Sequence, residues 1–396
     1  MVTSSIICLN TTKFAAKHSV LQQVYQDVLS PGIESVLRAR SFENLSNQDS
    51  RLANSQVKLL IQNFDHEEIR HLFGYGSGVV AQEGYSSQTA QIDLMIITDD
   101  TRKFQKLNFE RHPSHYSSLK YFGSDILQAI QNFGAGIYFN PFITMSSSDG
   151  SKQNVKYGIV STKRALEDLC EWSTMYVAGR LQKPVQHLKI DELLLKANQF
   201  NLSSAFNVGL LLMSSQKKTE KVALSDLYRS IASISYMGDP RMIIGGENPN
   251  KVQNIVTRQQ SKFRKLYNPF FQNNIKRGII DECNDQEVRI RLDEAARSEM
   301  IYYLPKQFRQ RLLNQYIDKR FDSSSNHSLE TDSIEFQQSL ETISRDENLE
   351  EALKMAIQAT VAIPAFKQTM KGLLTAGLFK SARYAWEKKL KSWKRR

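Results

Sequence analysis

The stretch Phe73 to Asp93, FGYGSGVVAQEGYSSQTAQID, carries an apolar run, a Gly-Ser-Gly turn and a second apolar run with one acid in it. The acid constrains the fold most. Asp93 lies in Ile92-Asp93-Leu94-Met95-Ile96-Ile97, and a carboxylate within an otherwise apolar strand is unfavourable unless it is paired, hydrogen-bonded or bound to a metal. Glycine at 74, 76 and 78 lets the backbone turn sharply and approach a ligand closely, and Ser77 adds a hydroxyl donor. Such a turn can hold phosphate through its N–H groups, while a neighbouring strand carboxylate can hold the magnesium that accompanies phosphate. The glycines alone suit a plain hairpin corner equally well. No Lys-Ser or Lys-Thr follows at Walker spacing, and Ala81 stands where a dinucleotide fingerprint needs its third glycine.

With 396 residues the chain can bury a sizeable core, and its net charge of +11 makes polyanions the expected partners: nucleic acid, nucleotide phosphates or an anionic membrane. Cys8, Cys170 and Cys283 are far apart and form no C-x-x-C, which reads as incidental thiols rather than a disulfide or zinc framework. No window reaches the ~20 consecutive apolar residues of a spanning helix, so membrane contact is expected to be peripheral. Met1 to Gln26 holds no acid, has Lys13, Lys17 and His18, and is rich in hydroxyls, so the first 40 residues resemble an organelle transit segment.

Strands are expected at Ile69–Tyr75, Gln91–Thr98, Gly136–Thr144 and Val155–Ser161, and a helix within Leu119–Phe133, giving a mixed α/β unit over 41–163. Helical texture follows over 164–321, in Arg164–Arg180, Asp191–Leu212, Leu224–Tyr236 and Asn250–Tyr267. The acidic, hydroxyl-rich stretch 322–351 reads as a mobile linker. Beyond it, 352–396 is strongly basic, with Lys380, Arg383, Lys388 and Lys389 interleaved with Trp386 and Trp393, the composition of an amphipathic helix on an anionic bilayer.

The Gly-Ser turn followed by an acid-bearing strand resembles the polymerase-β-type nucleotidyltransferase pattern, with one departure. Met95 occupies the place of that pattern's second acid. Asp99 shares the face of Asp93 but lies about 20 Å along an extended strand, too far to share an ion. A second metal carboxylate must come from elsewhere, with Glu83, Asp168 and Asp239 as candidates.

Larger blocks carry a more specific resemblance: GYGSGVVAQEGY, QIDLMII, HPSHYSSLKYFG, GAGIYFNPF, VKYGIVS, YVAGRLQKPV, ISYMGDPRM, GGENPNKVQNIV and MKGLLTAGLFKSARYAW. In this order, from about Leu72 to the C-terminus, they resemble the mitochondrial CDP-diacylglycerol synthase family. That resemblance implies an α+β architecture: a nucleotidyltransferase domain, then a mostly helical, winged-helix-like domain and the amphipathic C-terminal helix. It further implies a peripheral, matrix-side enzyme of the inner membrane that joins CTP and phosphatidic acid with Mg²⁺, feeds cardiolipin synthesis and needs no nucleic acid. Within the matched motifs, Gly76, Ser77 and Gly78 would cradle the triphosphate and Asp93, with Asp239, would hold the ion. Lys120, Lys156, Arg180, Lys183 and Arg241 would meet phosphates, and Tyr138 and Asn140 would contact cytosine. Two other readings stay open: a nucleotidyltransferase acting on RNA, whose fold and basic surface would be the same, and a non-enzymatic assembly factor with a vestigial nucleotide site, which Met95 favours.

Overall fold

The computed structural model describes residues 60–64, 67–80, 91–116, 124–146, 152–214, 221–243, 247–282, 284, 286–317 and 334–376. Lys120, Glu83, the N-terminal segment and the tail residues Lys380, Arg383, Trp386, Lys388, Lys389 and Trp393 lie outside them. The first half of the fold runs β1 (His71–Tyr75), β2 (Ile92–Thr98), α1 (Thr101–Arg111), α2 (Ser124–Asn132), β3 (Ile137–Ser146), β4 (Lys152–Ser161), α3 (Thr162–Glu171), α4 (Ala178–Leu181) and β5 (Gln186–Lys189). Its five strands form one sheet in the order β3-β4-β2-β1-β5, with β2 and β4 parallel and every other pair antiparallel. The four expected strands are all present.

Period-2 alternation divides this sheet into two chemically different faces. Leu72, Leu94, Ile96, Tyr157 and Ile159 point to a core that they share with Phe64 and with Phe104 of α1. On the other face the register sets Asp93 opposite Tyr75 on one side and beside Lys156 on the other. The helix α1 follows β2 with no expected counterpart, started by Asp100, whose side chain accepts the Arg102 and Lys103 amides.

The expected domain boundary at 163/164 falls inside this unit, because β5 pairs antiparallel with β1 and completes the sheet's edge. With four residues, β5 is too short to show alternation. After it come α5 (Glu192–Ser214), β6 (Lys221–Ala223), α6 (Leu224–Ser233), α7 (Pro240–Ile243), α8 (Lys251–Lys276), β7 (Ile280–Glu282), β8 (Glu287–Ile290), α9 (Glu294–Tyr302), α10 (Lys306–Ile317), α11 (Ile334–Arg345) and α12 (Leu349–Ala376). A small antiparallel sheet, β6-β8-β7, adjoins α6 and α8. Helix α5 is the hub, touching α3, α4, α6, α8, α9 and α12, and Leu202, Ala205, Phe206, Val208 and Leu211 along it are fully buried.

Two further expectations are corrected. Residues 334–351 are packed structure rather than linker: Phe336, Leu340 and Ile343 recur at helical spacing on α11 and are buried, as is Leu349. Glu341 between them is exposed, on the solvent face of an amphipathic helix, a pattern that counting charge conceals. Nor does the tail begin at 352, since α12 buries Leu353, Ala356, Ile357, Val361 and Ala365. It also closes the main sheet's edge, with Gln368 donating to the Ile137 carbonyl at 3.1 Å and Lys371 donating to those of Gln131 and Phe133 at 3.3 and 2.6 Å.

If α11 is core, Phe336→Ala lowers the unfolding free energy by about 3–5 kcal/mol, read from the midpoint of denaturant unfolding. A freely mobile segment would leave the midpoint unchanged.

Candidate active site

The site gathers on the Asp93 face of the main sheet. Directly above Asp93 lies the turn that follows β1, where Gly76 adopts φ +78° and a Cβ on it would stand 3.0 Å from Asp93 Oδ2. Only a residue without a side chain leaves that carboxylate oxygen open to the turn. At Gly78 a Cβ would stand 2.1 Å from the Gln91 carbonyl oxygen, so the return strand passes immediately behind. The amides of Val79 and Val80 fold back onto the Gly76 carbonyl at 3.1 and 2.9 Å, which makes Ser77 and Gly78 the leading residues of a tight turn.

Around Asp93 the cations converge. Burial holds its carboxyl above the usual carboxylate range, Lys156, Lys251 and Arg180 oppose this, and Glu247 adds to it. Lys156 lies alongside on β4 with its Nζ 4.6 Å from the centre of the Phe139 ring. The Arg180 guanidinium lies 4.1 Å from the Tyr176 ring centre and 5.1 Å from that of Tyr75. Burial disfavours the Arg180 cation, but the neighbouring Tyr75 and Tyr176 phenols keep its pKa above normal, and the guanidinium also donates to the Tyr176 backbone carbonyl. Burial likewise pushes up the Tyr75 phenol; for Tyr176 it is outweighed by Arg180, Arg241 and Lys156, and the phenol is lowered.

Asp168 builds the loop that delivers this pair. Its Oδ1 accepts from the Thr174 and Met175 amides at 2.8 and 2.7 Å and from the Ser173 and Thr174 hydroxyls, and its Oδ2 from the Val177 and Ala178 amides at 2.7 and 3.0 Å. Those contacts hold Trp172 and Met175 at φ 52° and 55°, left-handed values that side chains rarely adopt. The short helix α4 is then fixed from behind by Asn201, which donates to the Ala178 carbonyl, and by Tyr267, which donates to that of Gln182. Asp168 therefore positions Tyr176 and Arg180, and both its oxygens are taken.

Lys183, just past α4, donates to Ser235 Oγ at 2.8 Å and to the Gly179 carbonyl. Burial, with Arg180 and Lys251 nearby, lowers its pKa to about 7. Asp239 is buried and both its oxygens engage Arg241: Oδ2 meets Nη2 at 2.6 Å, and Oδ1 accepts from Nε and the backbone amide at 3.0 Å each. The loop continues to Glu247, whose amide donates to the Arg241 carbonyl at 3.0 Å and whose carboxylate pairs with Lys251 at 3.6 Å.

Of the expected residues, Gly76, Ser77, Gly78, Asp93, Lys156, Arg180, Lys183, Asp239 and Arg241 thus belong to one neighbourhood. Tyr138 and Asn140 do not. They point from β3 to the opposite face, where Tyr138 packs on Tyr116 and Leu127, whereas the intervening Phe139 faces Lys156 and Arg180. Tyr75, Tyr176, Glu247 and Lys251 were not anticipated. Alternation from Asp93 and the i,i+4 spacing of Glu247 and Lys251 were the available signals. Among the described residues no group of three or more His, Cys, Asp or Glu forms a ready-made metal cluster.

The family model described as "Phosphatidate cytidylyltransferase, mitochondrial" matches residues 57–391. Proteins of that description are similar in sequence: that of Saccharomyces cerevisiae is 36% identical over 328 residues, 82% of this chain and 68% of the relative. The Schizosaccharomyces pombe protein is 33% identical over 381 residues, 94% and 90% of the two chains. That of Mus musculus is 34% identical over 333 residues, 83% and 92%.

The lowered Lys183 value predicts a pH dependence of stability. Below pH 7 the ammonium is charged in both folded and unfolded chains; between about 7 and the ordinary 10.5 the folded chain has released the proton while the unfolded chain retains it. This group therefore adds stability as pH rises through that window. Thermal unfolding of wild type against Lys183→Met checks it, the difference between them shifting toward wild type from pH 6.5 to 9.

Proposed function

The chain belongs to the mitochondrial phosphatidate cytidylyltransferase family, and on that footing we propose that it joins CTP and phosphatidic acid into CDP-diacylglycerol and pyrophosphate on the Asp93 face of the main sheet. The observation that carries this reading is the convergence of Lys156, Lys251 and Arg180 on a half-buried acid beneath a glycine turn. A phosphate oxygen of phosphatidate attacks the α-phosphorus of CTP in line, one P–O bond forms, and the bond to the β-phosphate oxygen breaks. Both reactants are polyanions, so catalysis rests on positioning them and neutralising developing charge.

In this reading the amides of Ser77 and Gly78 meet the triphosphate. Lys156, and Arg180 fixed between Tyr75 and Tyr176, hold the phosphates at the reacting end; Arg241 and Lys183 bound the same space, and Lys120 is a further candidate from its motif. Magnesium suits the open oxygen of Asp93 below Gly76, a hard donor. Bound there, it would offset charge on the phosphate oxygens. Asp239, held by Arg241, serves better to aim that arginine than to ligate an ion. The main sheet with its Gly-Ser turn and Asp93 suits a polymerase-β-type nucleotidyltransferase domain, and α6, α8 and β6-β8-β7 suit a winged-helix unit.

Phosphatidate resides in a bilayer, and among the described residues no helix is long and apolar enough to cross one. We infer peripheral docking at the matrix face of the inner membrane, supplying cardiolipin synthesis. Supporting this, Ile363, Phe366 and Met370 are exposed at helical spacing on α12, which leads into the basic tail with Lys380, Arg383, Trp386, Lys388, Lys389 and Trp393.

Purified protein with labelled CTP, Mg²⁺ and phosphatidate liposomes is expected to form CDP-diacylglycerol, and Asp93→Ala to lower the rate about 10²–10³-fold, the scale of losing a key electrostatic group. Folded wild type that forms none, or that transfers the nucleotide to an RNA 3′ end instead, rejects the reading. Removing residues 377–396 is expected to abolish liposome flotation and turnover of membrane-embedded phosphatidate while CTP binding persists; full activity on vesicles would refute the docking role.

A further inference from the structure

We propose that the Tyr75 hydroxyl is a substrate-binding group, donating a hydrogen bond to a phosphate oxygen on the Asp93 face. The proposal rests on the reading of that face as a nucleotidyl-transfer site, and it adds a direct contact to the bracing of Arg180 by the Tyr75 ring.

Three features of the fold bring the phenol there. Tyr75 is the last residue of β1, the one residue of that strand that is not fully buried, and the register partner of Asp93 on β2. Residues directly opposite in an antiparallel pair share a face, with Cβ atoms about 5 Å apart, so the phenol and the carboxylate rise from the sheet side by side. Immediately after Tyr75 the chain enters the glycine turn, where Gly76 passes so close that a Cβ on it would stand 3.0 Å from Asp93 Oδ2. From the other side the Arg180 guanidinium lies 5.1 Å from the Tyr75 ring centre.

The hydroxyl proton has no acceptor. Its oxygen is enclosed and makes no hydrogen bond among the described residues, and Arg180, the polar side chain against the ring, carries donors only. Arg180 is itself incompletely satisfied: one Nη donates to the Tyr176 carbonyl, while Nε is enclosed and without a partner among the described residues. Buried donors of this kind are uncommon in folded proteins, because each forfeits its bonds to water and gains none in return. Two of them, from elements far apart in sequence, lie against each other on the face where two polyanions are to be joined. A phosphate oxygen accepts several hydrogen bonds and would relieve both.

The protonation state suits this role. Burial, with Asp93 adding to it, holds the Tyr75 phenol above its ordinary value against the opposing effect of Arg180, so the phenol keeps its proton through the neutral range and is able to donate. A phenylalanine would fill the same space and brace Arg180 equally well without an enclosed hydroxyl. A ligand oxygen accounts for the hydroxyl, and packing does not.

Tyr75→Phe removes the hydroxyl and leaves the ring. The variant is expected to melt at or above the wild-type temperature, since the empty fold loses no bond, yet to bind or turn over substrate about 10- to 100-fold worse, the scale of a hydrogen bond to a charged group. Titration calorimetry with a non-hydrolysable CTP analogue and Mg²⁺, together with rates against CTP and against phosphatidate in vesicles, locates the phosphate. Weaker analogue binding assigns it to the nucleotide, a raised KM for phosphatidate alone to the lipid, and a lowered kcat alone to the transition state. Tyr316→Phe supplies the opposite pattern, because that hydroxyl donates to Asp346 at 2.7 Å, outside the group gathered around Asp93: it should lower the melting temperature and leave binding and rates unchanged. Tyr75→Phe that stays within about twofold of wild type in all of these quantities overturns the proposal. So does a Tyr75→Phe protein that melts clearly below wild type, because the hydroxyl would then be bonded within the protein. Wild type that neither binds the analogue nor forms CDP-diacylglycerol would instead remove the nucleotidyl-transfer reading beneath.

Discussion

A half-buried carboxylate in an otherwise buried central strand is the constraint around which this protein is arranged. Asp93 cannot be left alone in an apolar sheet, and parallel pairing of β2 with β4 sets Lys156 immediately beside it. Lys156 is not the only cation acting on it, and the others come from outside the sheet. Arg180 reaches in from α4 and Lys251 from the start of α8. The strand acid thereby determines which surfaces of the helical part must face the sheet.

Delivering an arginine into that space needs rigid support, and Asp168 provides it. Fully buried and with both oxygens taken, it gathers the amides of Thr174, Met175, Val177 and Ala178 and holds two residues at left-handed φ. Backbone strain of this kind persists only where surrounding bonds over-determine it. On the far side, α12 ties the other wall. It is bonded to the start of β3 and the end of α2, and it lies so close to Gly238 that a Cβ there would stand 2.8 Å from Gln358 Cα. The loop bearing Asp239 and Arg241 therefore rests on the same helix whose outer side exposes Ile363 and Phe366.

Much of this was legible in the sequence. The strands announced themselves through alternation and apolar runs, and Asp93 through the anomaly of a charge among them. What escaped was whatever depends on partners distant in sequence. The edge strand β5 is four residues long and gains its identity only from β1. The stretch around Phe336 looked solvated because acids outnumber its apolar residues, although Phe336, Leu340 and Ile343 lie on one helical face. Tyr138 and Asn140 were misassigned for a simpler reason. Alternation over Tyr138–Asn140, ahead of the irregularity that follows Asn140, turns Phe139 toward Lys156, so its two neighbours must face away.

The excess of cations also says something about ligand order. Arg180 is held charged by its tyrosine neighbours, whereas burial, with Arg180 and Lys251 nearby, lowers the pKa of Lys183 to about 7. A lysine so placed responds to what enters. An arriving polyphosphate supplies the negative charge that Arg180 and Lys251 oppose at Lys183, restoring its proton, so anion binding and proton uptake are linked. The proposed metal ion, arriving alone, would meet the reverse situation, because Lys156, Lys251 and Arg180 already act on Asp93. On that proposal the ion would enter together with the phosphates, whose charge offsets the repulsion that these cations would exert on it alone.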